Sequence, residues 1–289
     1  MSNGMVILNY KDALRSKELA YRCMEFGCID HIVIVDNCSN DNSYEELLKI
    51  KNSNIDVIKS DYNGGFSYGC NYGAKYLVNN YKPEYILFAN TDTIFPEENI
   101  IESIKVLKLN SQLGMVTTRM KNVKGEEEIS AWPFTTFIKL YLNCFWIYRF
   151  LLAKLGSPSK YDFTNEIVQE VDVARGSFML FKTSALIEAD YFDDTTFLYA
   201  EETIIAKRLA KVNKKIGIIN NKWYIHNHNY REKNTTTIAQ LRSLHESSLY
   251  YLEKYCDLSF FKQILFKKTI TYSLMEQSLI NKIKKIIKR

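Results

Sequence analysis

The 289 residues are 46% hydrophobic and 25% charged, a balance that gives a folded chain with one sizeable core and excludes a disordered one. The net charge of +5 is unevenly placed: past Phe261 eight basic residues face the single acid Glu276, so the body is close to neutral and the tail calls for an anionic partner. Six cysteines without a CxxC pair or a zinc spacing, no apolar run long enough to span a bilayer, and a first strand that begins at once without a signal peptide read as a cytoplasmic protein with reduced thiols.

Met5–Tyr10 predicts a strand, the next segment a helix to about Phe26, and His31–Asp36 a second strand, together a βαβ unit with a parallel pair. A polar loop from Asn37 to Ser43 caps a helix through Ile50, and Ile55–Ile58 forms a third strand. Asn9 and Asp36 therefore stand at the carboxyl tips of neighbouring strands. There they either wall a nucleotide-base slot or serve as turn residues. Gly65, Gly69 and Gly73 fall on one face of the following helix and let it lie close to a strand or a ligand. Their spacing is neither the GxGxxG of dinucleotide folds nor a P-loop.

The central stretch is Tyr85–Ala89 followed by Asn90-Thr91-Asp92-Thr93. A continuous apolar run ending on Asn, Thr and Asp predicts a buried parallel strand whose carboxyl end carries polar groups, the place where open α/β sheets bind ligands. A carboxylate at that point suits a hard divalent cation, Mg²⁺ or Mn²⁺, and through it a diphosphate; the plainer alternative is a helix cap for the segment starting near Pro96. A helix over Glu97–Leu109 and a strand over Gly114–Thr118 complete a run of alternating β and α elements, hence a mainly parallel sheet.

Residues 132–156 break the pattern with a helical insert crowded with Phe, Tyr and Trp, suited to covering a site, docking on lipid, forming a homodimer or packing on the body. Val171–Phe181 reads as one or two strands with a corner at Gly176-Ser177. Glu201 and Glu202 open a helix, as dipole partners or with one carboxylate serving as a general base. Ile216–Ile219 is a strand, and Trp223–Arg231 a polar cluster whose His226 and His228 suit a metal or diphosphate contact, or are ordinary loop histidines. Everything past Thr237 reads as helical. The expected division is a catalytic body over 1–235 and a helical extension over 236–289.

The order of motifs resembles the inverting, nucleotide-sugar-dependent glycosyltransferases of family 2 on the GT-A fold, and within them the rhamnosyltransferase-like bacterial polysaccharide enzymes. The resemblance covers residues 4 to 235. It rests on Val35-Asp36-Asn37 with its polar loop, Asn63-Gly64-Gly65-Phe66 with Gly69 and Asn71, Asn90-Thr91-Asp92, Gly176-Ser177-Phe178-Met179, Phe192-Asp193 leading to Phe197-Leu198-Tyr199 and the acidic pair, and His226. It implies that Asn9 and Asp36 hold the base and ribose of the donor, with Asn63, Gly65, Asn71, Asn90 and Arg175 also on the donor. Asp92 becomes the ligand of a divalent cation, Mn²⁺ or Mg²⁺, completed by His226 or His228. Glu202, or else Glu201, becomes the base that activates an acceptor hydroxyl. Two positions depart from the usual pattern: Asn90 stands where many relatives carry Asp, and Glu202 where Asp is more usual.

The implied reaction moves a sugar from a UDP- or dTDP-linked donor to a glycan acceptor, lipid-linked, in cell-surface polysaccharide synthesis. Met275, Leu279, Ile283 and Ile286 recur at helical spacing beside Lys282, Lys285, Lys288 and Arg289, a basic amphipathic helix expected on the anionic inner face of the membrane. Those charges accompany aliphatic residues and lack aromatics placed for base stacking, which argues against nucleic acid. Two rivals remain. A sugar nucleotidyltransferase wants a Gly-rich basic loop after the first strand, where this chain has Asn9-Tyr10-Lys11-Asp12-Ala13. A non-catalytic carbohydrate-binding or scaffold subunit draws on Asn90 and Glu202.

Overall fold

The computed structural model describes residues 2–155, 161, 163–227 and 237–287. Its N-terminal half alternates β1 (Asn3–Asn9), α1 (Ala13–Met24), β2 (His31–Asp36), α2 (Ser43–Leu48), β3 (Ile55–Lys59), α3 (Gly65–Tyr81) and β4 (Tyr85–Ala89). The four strands lie parallel in the order β3-β2-β1-β4, with Asn9 in register with Asp36. Alternate side chains enter different layers. Met5, Ile7, Ile32 and Ile34 join a cluster on one face of the sheet, while Val6, Val33 and Val35 join the cluster under α3 on the other. Burial on both faces is why these strands read as unbroken apolar runs. Helix α3 lies directly on the sheet because a Cβ at Gly69 would meet Leu8 Cδ1 at 2.3 Å.

Beyond β4 come β5 (Thr93–Ile94), α4 (Glu97–Leu109), β6 (Leu113–Lys121), β7 (Ala131–Trp132), α5 (Phe137–Asn143), α6 (Trp146–Leu155), β8 (Val168–Val171), β9 (Val173–Ala174) and β10 (Phe178–Lys182). The chain continues with α7 (Thr183–Glu188), α8 (Glu201–Lys211), β11 (Lys215–His226), α9 (Ile238–Tyr255) and α10 (Phe260–Ile287). The sheet extends as β4-β10-β6-β11-β5. Here the parallel run gives way to a mixed sheet: β10 is antiparallel to both β4 and β6, β11 is parallel to β6, and β5 and β8 run antiparallel to β11.

Two segments refine the sequence reading. The stretch 171–181 is divided into β9 and β10 around the Arg175-Gly176-Ser177 corner, with β9 leaving the main sheet to pair with β7. Trp223–His226, expected as a polar cluster, is strand: β11 shifts register between Ile219 and Trp223 and runs on until His226 pairs with Thr93. The residue after it, Asn227, donates its backbone N–H to Asp92 O at 2.8 Å. The Asp92 turn is thereby fastened to the end of the longest strand among the described residues.

The aromatic insert forms α5 and α6. With α8, α9 and α10 it encloses a third apolar cluster around Cys144, Ile204, Tyr251, Leu252 and Phe266. Among the described residues no helix is long and apolar enough to cross a membrane.

Candidate active site

The carboxyl tips of β1, β2 and β4 and the turn into α3 surround a cavity of about 360 Å³. Asn9 and Asp36 do not line it. Both side chains are fully buried, and Asn9 Nδ2 donates to Asp36 Oδ1 at 2.7 Å. Asn9 Oδ1 accepts from Ser16 Oγ and the Asp12 N–H, and Asp36 Oδ2 accepts from the Ser39 N–H at 3.0 Å. The pair holds the two loops that do reach the cavity. Those loops present Tyr10, Asp12 and Asn37. Asn37 Nδ2 donates to Asn63 Oδ1 and to Gly65 O, both at 3.0 Å, so the second strand tip and the start of α3 share one polar wall.

Asn71 is likewise inward. Its amide brackets the backbone of Phe192, donating to the carbonyl at 2.9 Å and accepting from the N–H at 3.0 Å. Asn63, Gly65 and Asn90 do line the cavity, as expected from the sequence. Gly65 has φ +88°, and a Cβ there would fall 1.9 Å from Phe197 O. The adjoining Phe66 N–H donates to that same carbonyl. Only glycine allows the loop before α8 to close against α3 in this way.

Asp92 and His226 meet on the floor. His226 Nε2 donates to Asp92 Oδ1 at 2.9 Å, with the two residues 5% and 9% exposed. His228 lies outside the described residues. Among the described residues no cluster of three or more His, Cys, Asp or Glu side chains forms a ready-made metal cage. A carboxylate and an imidazole facing a cavity nonetheless fit a divalent cation that takes its remaining oxygens from a bound diphosphate and water, the usual manner of Mg²⁺ and Mn²⁺.

A second cavity of about 610 Å³ adjoins the first, sharing Phe66, Asn90, Leu198 and His226 with it. The acidic pair faces it. Glu202 Oε1 accepts from the Gly176 N–H at 3.3 Å, so the corner between β9 and β10 fixes the carboxylate. Burial, and after it the charge of Glu202, pushes Glu201 up to about 8. The turn that delivers the pair is strained, since Tyr199 and Ala200 both have left-handed backbones at φ +73° and +65°. Arg175, expected on the donor, lines this larger cavity and does not line the smaller one.

The opposite wall comes from α9, which sequence reasoning treated as part of an extension. Gln240, Leu244, Ser248 and Tyr251 line the larger cavity, and Ser247 Oγ donates to Leu198 O at 2.8 Å. Nothing local marks those four residues, because helical periodicity says which face is buried but not what it faces. Asn37 and Trp132 did carry a signal: one adjoins the Asp36 tip, the other opens the aromatic insert. Behind the loop, Asp193 is buried among Tyr250, Lys254, Tyr255 and Arg208. Burial alone would raise its carboxyl, but the hydrogen bonds from Tyr255 and its neighbours hold it well below the usual carboxylate range.

The mixed sheet, with two adjoining cavities at its strand tips, is a GT-A fold. Residues 17–185 match the description of glycosyl transferase family 2, and the chain belongs to that family. It is 26% identical over 215 residues to the low-salt glycan biosynthesis hexosyltransferase Agl10 of Haloferax volcanii. That match takes in 74% of this chain but spans only 63% of the length of Agl10. Among solved structures, residues 1–349 of S. aureus TarS with UDP share 16% identity at a TM-score of 0.57, over 95% of this chain and 71% of that one. The Pyrobaculum calidifontis mannosyltransferase PcManGT with GDP-Man and Mn²⁺ shares 12% identity at a TM-score of 0.58, over 96% and 73%. At such identities these two establish the fold.

Proposed function

We propose that the chain transfers a sugar, with inversion, from a nucleoside-diphosphate sugar to a hydroxyl of a glycan acceptor. The observation that carries this reading is the pair of adjoining cavities, one floored by Asp92 and His226, the other faced by Glu201 and Glu202. Tyr10, Asp12, Asn37 and Asn63 hold the nucleotide of the donor in the smaller cavity; UDP or dTDP is the donor nucleotide. Asp92 and His226 are the residues that hold a divalent cation, whose chemistry is to neutralise the charge on the departing diphosphate. Glu202 takes the proton of the acceptor hydroxyl in the larger cavity as that oxygen attacks the anomeric carbon from the face opposite the leaving group. One displacement inverts the configuration.

The acceptor is lipid-linked in this reading. Met275, Leu279, Ile283 and Ile286 are all exposed along α10, which supports a peripheral position on an anionic membrane face. Lys288 and Arg289 of the same basic stripe lie outside the described residues. The catalytic reading is tested by release of nucleoside diphosphate from UDP-, dTDP- and GDP-sugars, with and without Mn²⁺ or Mg²⁺ and with a glycan acceptor extract. Turnover of one donor that depends on the cation and disappears in Asp92→Ala and Glu202→Gln is the expected result. A native chain that neither binds nor turns over any of the donors with cation and acceptor present would leave the non-catalytic carbohydrate-binding reading in its place.

A further inference from the structure

Arg175 stands at the larger cavity with half of its hydrogen-bonding edge committed. Nε and Nη2 donate to Ile129 O at 3.3 and 3.2 Å, and the guanidinium lies 5.2 Å from the centre of the Trp132 ring. Its backbone N–H donates to Ser130 O at 2.9 Å, so the residue is held at both ends by the two residues that lead into β7, the strand that carries Trp132. Among the described residues Nη1 makes no hydrogen bond, and no carboxylate forms an ion pair with this guanidinium. Among the described residues lining the cavity it is the sole Lys or Arg.

Such an arrangement is preorganised. A carbonyl and an indole face fix the plane of the fork, and the remaining N–H groups belong to a permanent cation that lines the cavity. The following residue, Gly176, donates its backbone N–H to Glu202, so Arg175 adjoins the corner that fixes this carboxylate, and both residues line the same cavity. A half-buried guanidinium with no ion-pair partner among the described residues favours an anion delivered by the ligand.

We infer that the acceptor carries an oxyanion, a phosphate or a carboxylate, close to its reacting hydroxyl, and that Arg175 selects acceptors by that charge. The inference rests on the transferase reading and deepens it, moving Arg175 from the donor to the acceptor.

The test is calorimetric and needs no turnover. The full chain, with its smaller cavity filled by whichever of UDP, dTDP and GDP binds in Mn²⁺, is titrated with methyl glucoside, glucuronic acid and glucose 1-phosphate. At least one charged sugar is expected to bind about tenfold more tightly than the neutral one, the effect of one hydrogen bond to an ion. Arg175→Gln removes that preference and leaves nucleotide affinity within about twofold, while Arg175→Lys keeps part of it. A preference for the phosphate identifies a phosphorylated or lipid-phosphate acceptor, and a preference for the carboxylate a uronic acid. Equal binding of charged and neutral sugars by the native chain overturns the inference, as does an Arg175→Gln variant that loses nucleotide affinity instead. Failure of every nucleotide to bind removes the transferase reading, and the inference with it.

Discussion

Two carboxylates open α8, and their surroundings separate their roles. Glu201 Oε2 is buried with no hydrogen-bond partner among the described residues, and burial followed by the charge of Glu202 pushes its carboxyl up to about 8. That direction favours its protonated form at neutral pH, which makes it the poorer base of the pair. In the proposed reaction Glu202, held by the Gly176 N–H, is the base. Glu202→Gln should lower kcat by about 10²- to 10⁴-fold, the usual contribution of a positioned base. Glu201→Gln copies the protonated acid in shape and charge, and should keep most of the rate; single-turnover assays at pH 7 with the best donor compare the two. The same carboxyl ties stability to pH. A folded-state value above the ordinary 4.5 means that the native chain binds more protons than the unfolded one between 4.5 and about 8. Stability from this group is thus full below that window and lost as pH rises through it. Melting temperatures of native chain and Glu201→Gln taken at pH 5 and pH 8.5 should differ more at the higher pH, with the variant gaining; a constant gap would show that Glu201 titrates alike in both states.

The element that joins the two cavities is the loop from Asp193 to Ala200, and it is fixed from three directions. Asn71 of α3 brackets Phe192, Gly65 receives the Phe197 carbonyl, and α9 grips Leu198 through Ser247. Gly65→Ala meets both obstacles, a left-handed backbone and a Cβ at 1.9 Å from that carbonyl. The expected loss is about 2 kcal/mol or more in urea unfolding, together with loss of nucleotide binding, because the loop must lift from the shared wall. Unchanged nucleotide affinity would mean that the clasp is dispensable for the donor. This loop also shows what the sequence could and could not say. The strand tips were legible because apolar runs end abruptly at Asp36 and Asn90. Which tip residue faces the cavity was not: side chains alternate, the last strand residue turns inward, and Asn37, one place on from Asp36, lines the cavity. Asn71 was visible as a motif, yet its bonds to Phe192, far along the chain, belong to tertiary packing that no local pattern records.

At the scale of the whole molecule, the parallel half of the sheet followed from β-α alternation, while the antiparallel insertion of β10 did not, since an apolar strand reads alike in either direction. The helices beyond residue 237 were legible by periodicity, but their packing onto the site was not. That packing gives α10 two apolar sides. Phe266, Thr269, Ile270 and Ser273 are buried against the body, while Phe261, Tyr272, Met275, Leu279, Ile283 and Ile286 face outward. Trp146 N–H donates to Glu276 at 2.7 Å and Arg149 reaches Gln277, so α6 lies alongside and adds the exposed Ile147, Phe150 and Leu151. An outward stripe this long is more than scattered surface hydrophobics, and the one acid of α10 is turned toward α6. Lys268 and Lys282 are exposed on the same helix, which favours an anionic bilayer over a neutral one. Leu279→Glu with Ile283→Glu leaves the buried side intact and places two charges in the stripe. The double variant should stay folded by circular dichroism and lose flotation with vesicles containing phosphatidylglycerol, while the native chain floats with these and not with neutral phosphatidylcholine. If native chain and variant float alike, the stripe has no membrane role; if the native chain instead runs as a dimer that the substitutions dissociate, its occupant is a second copy of the chain.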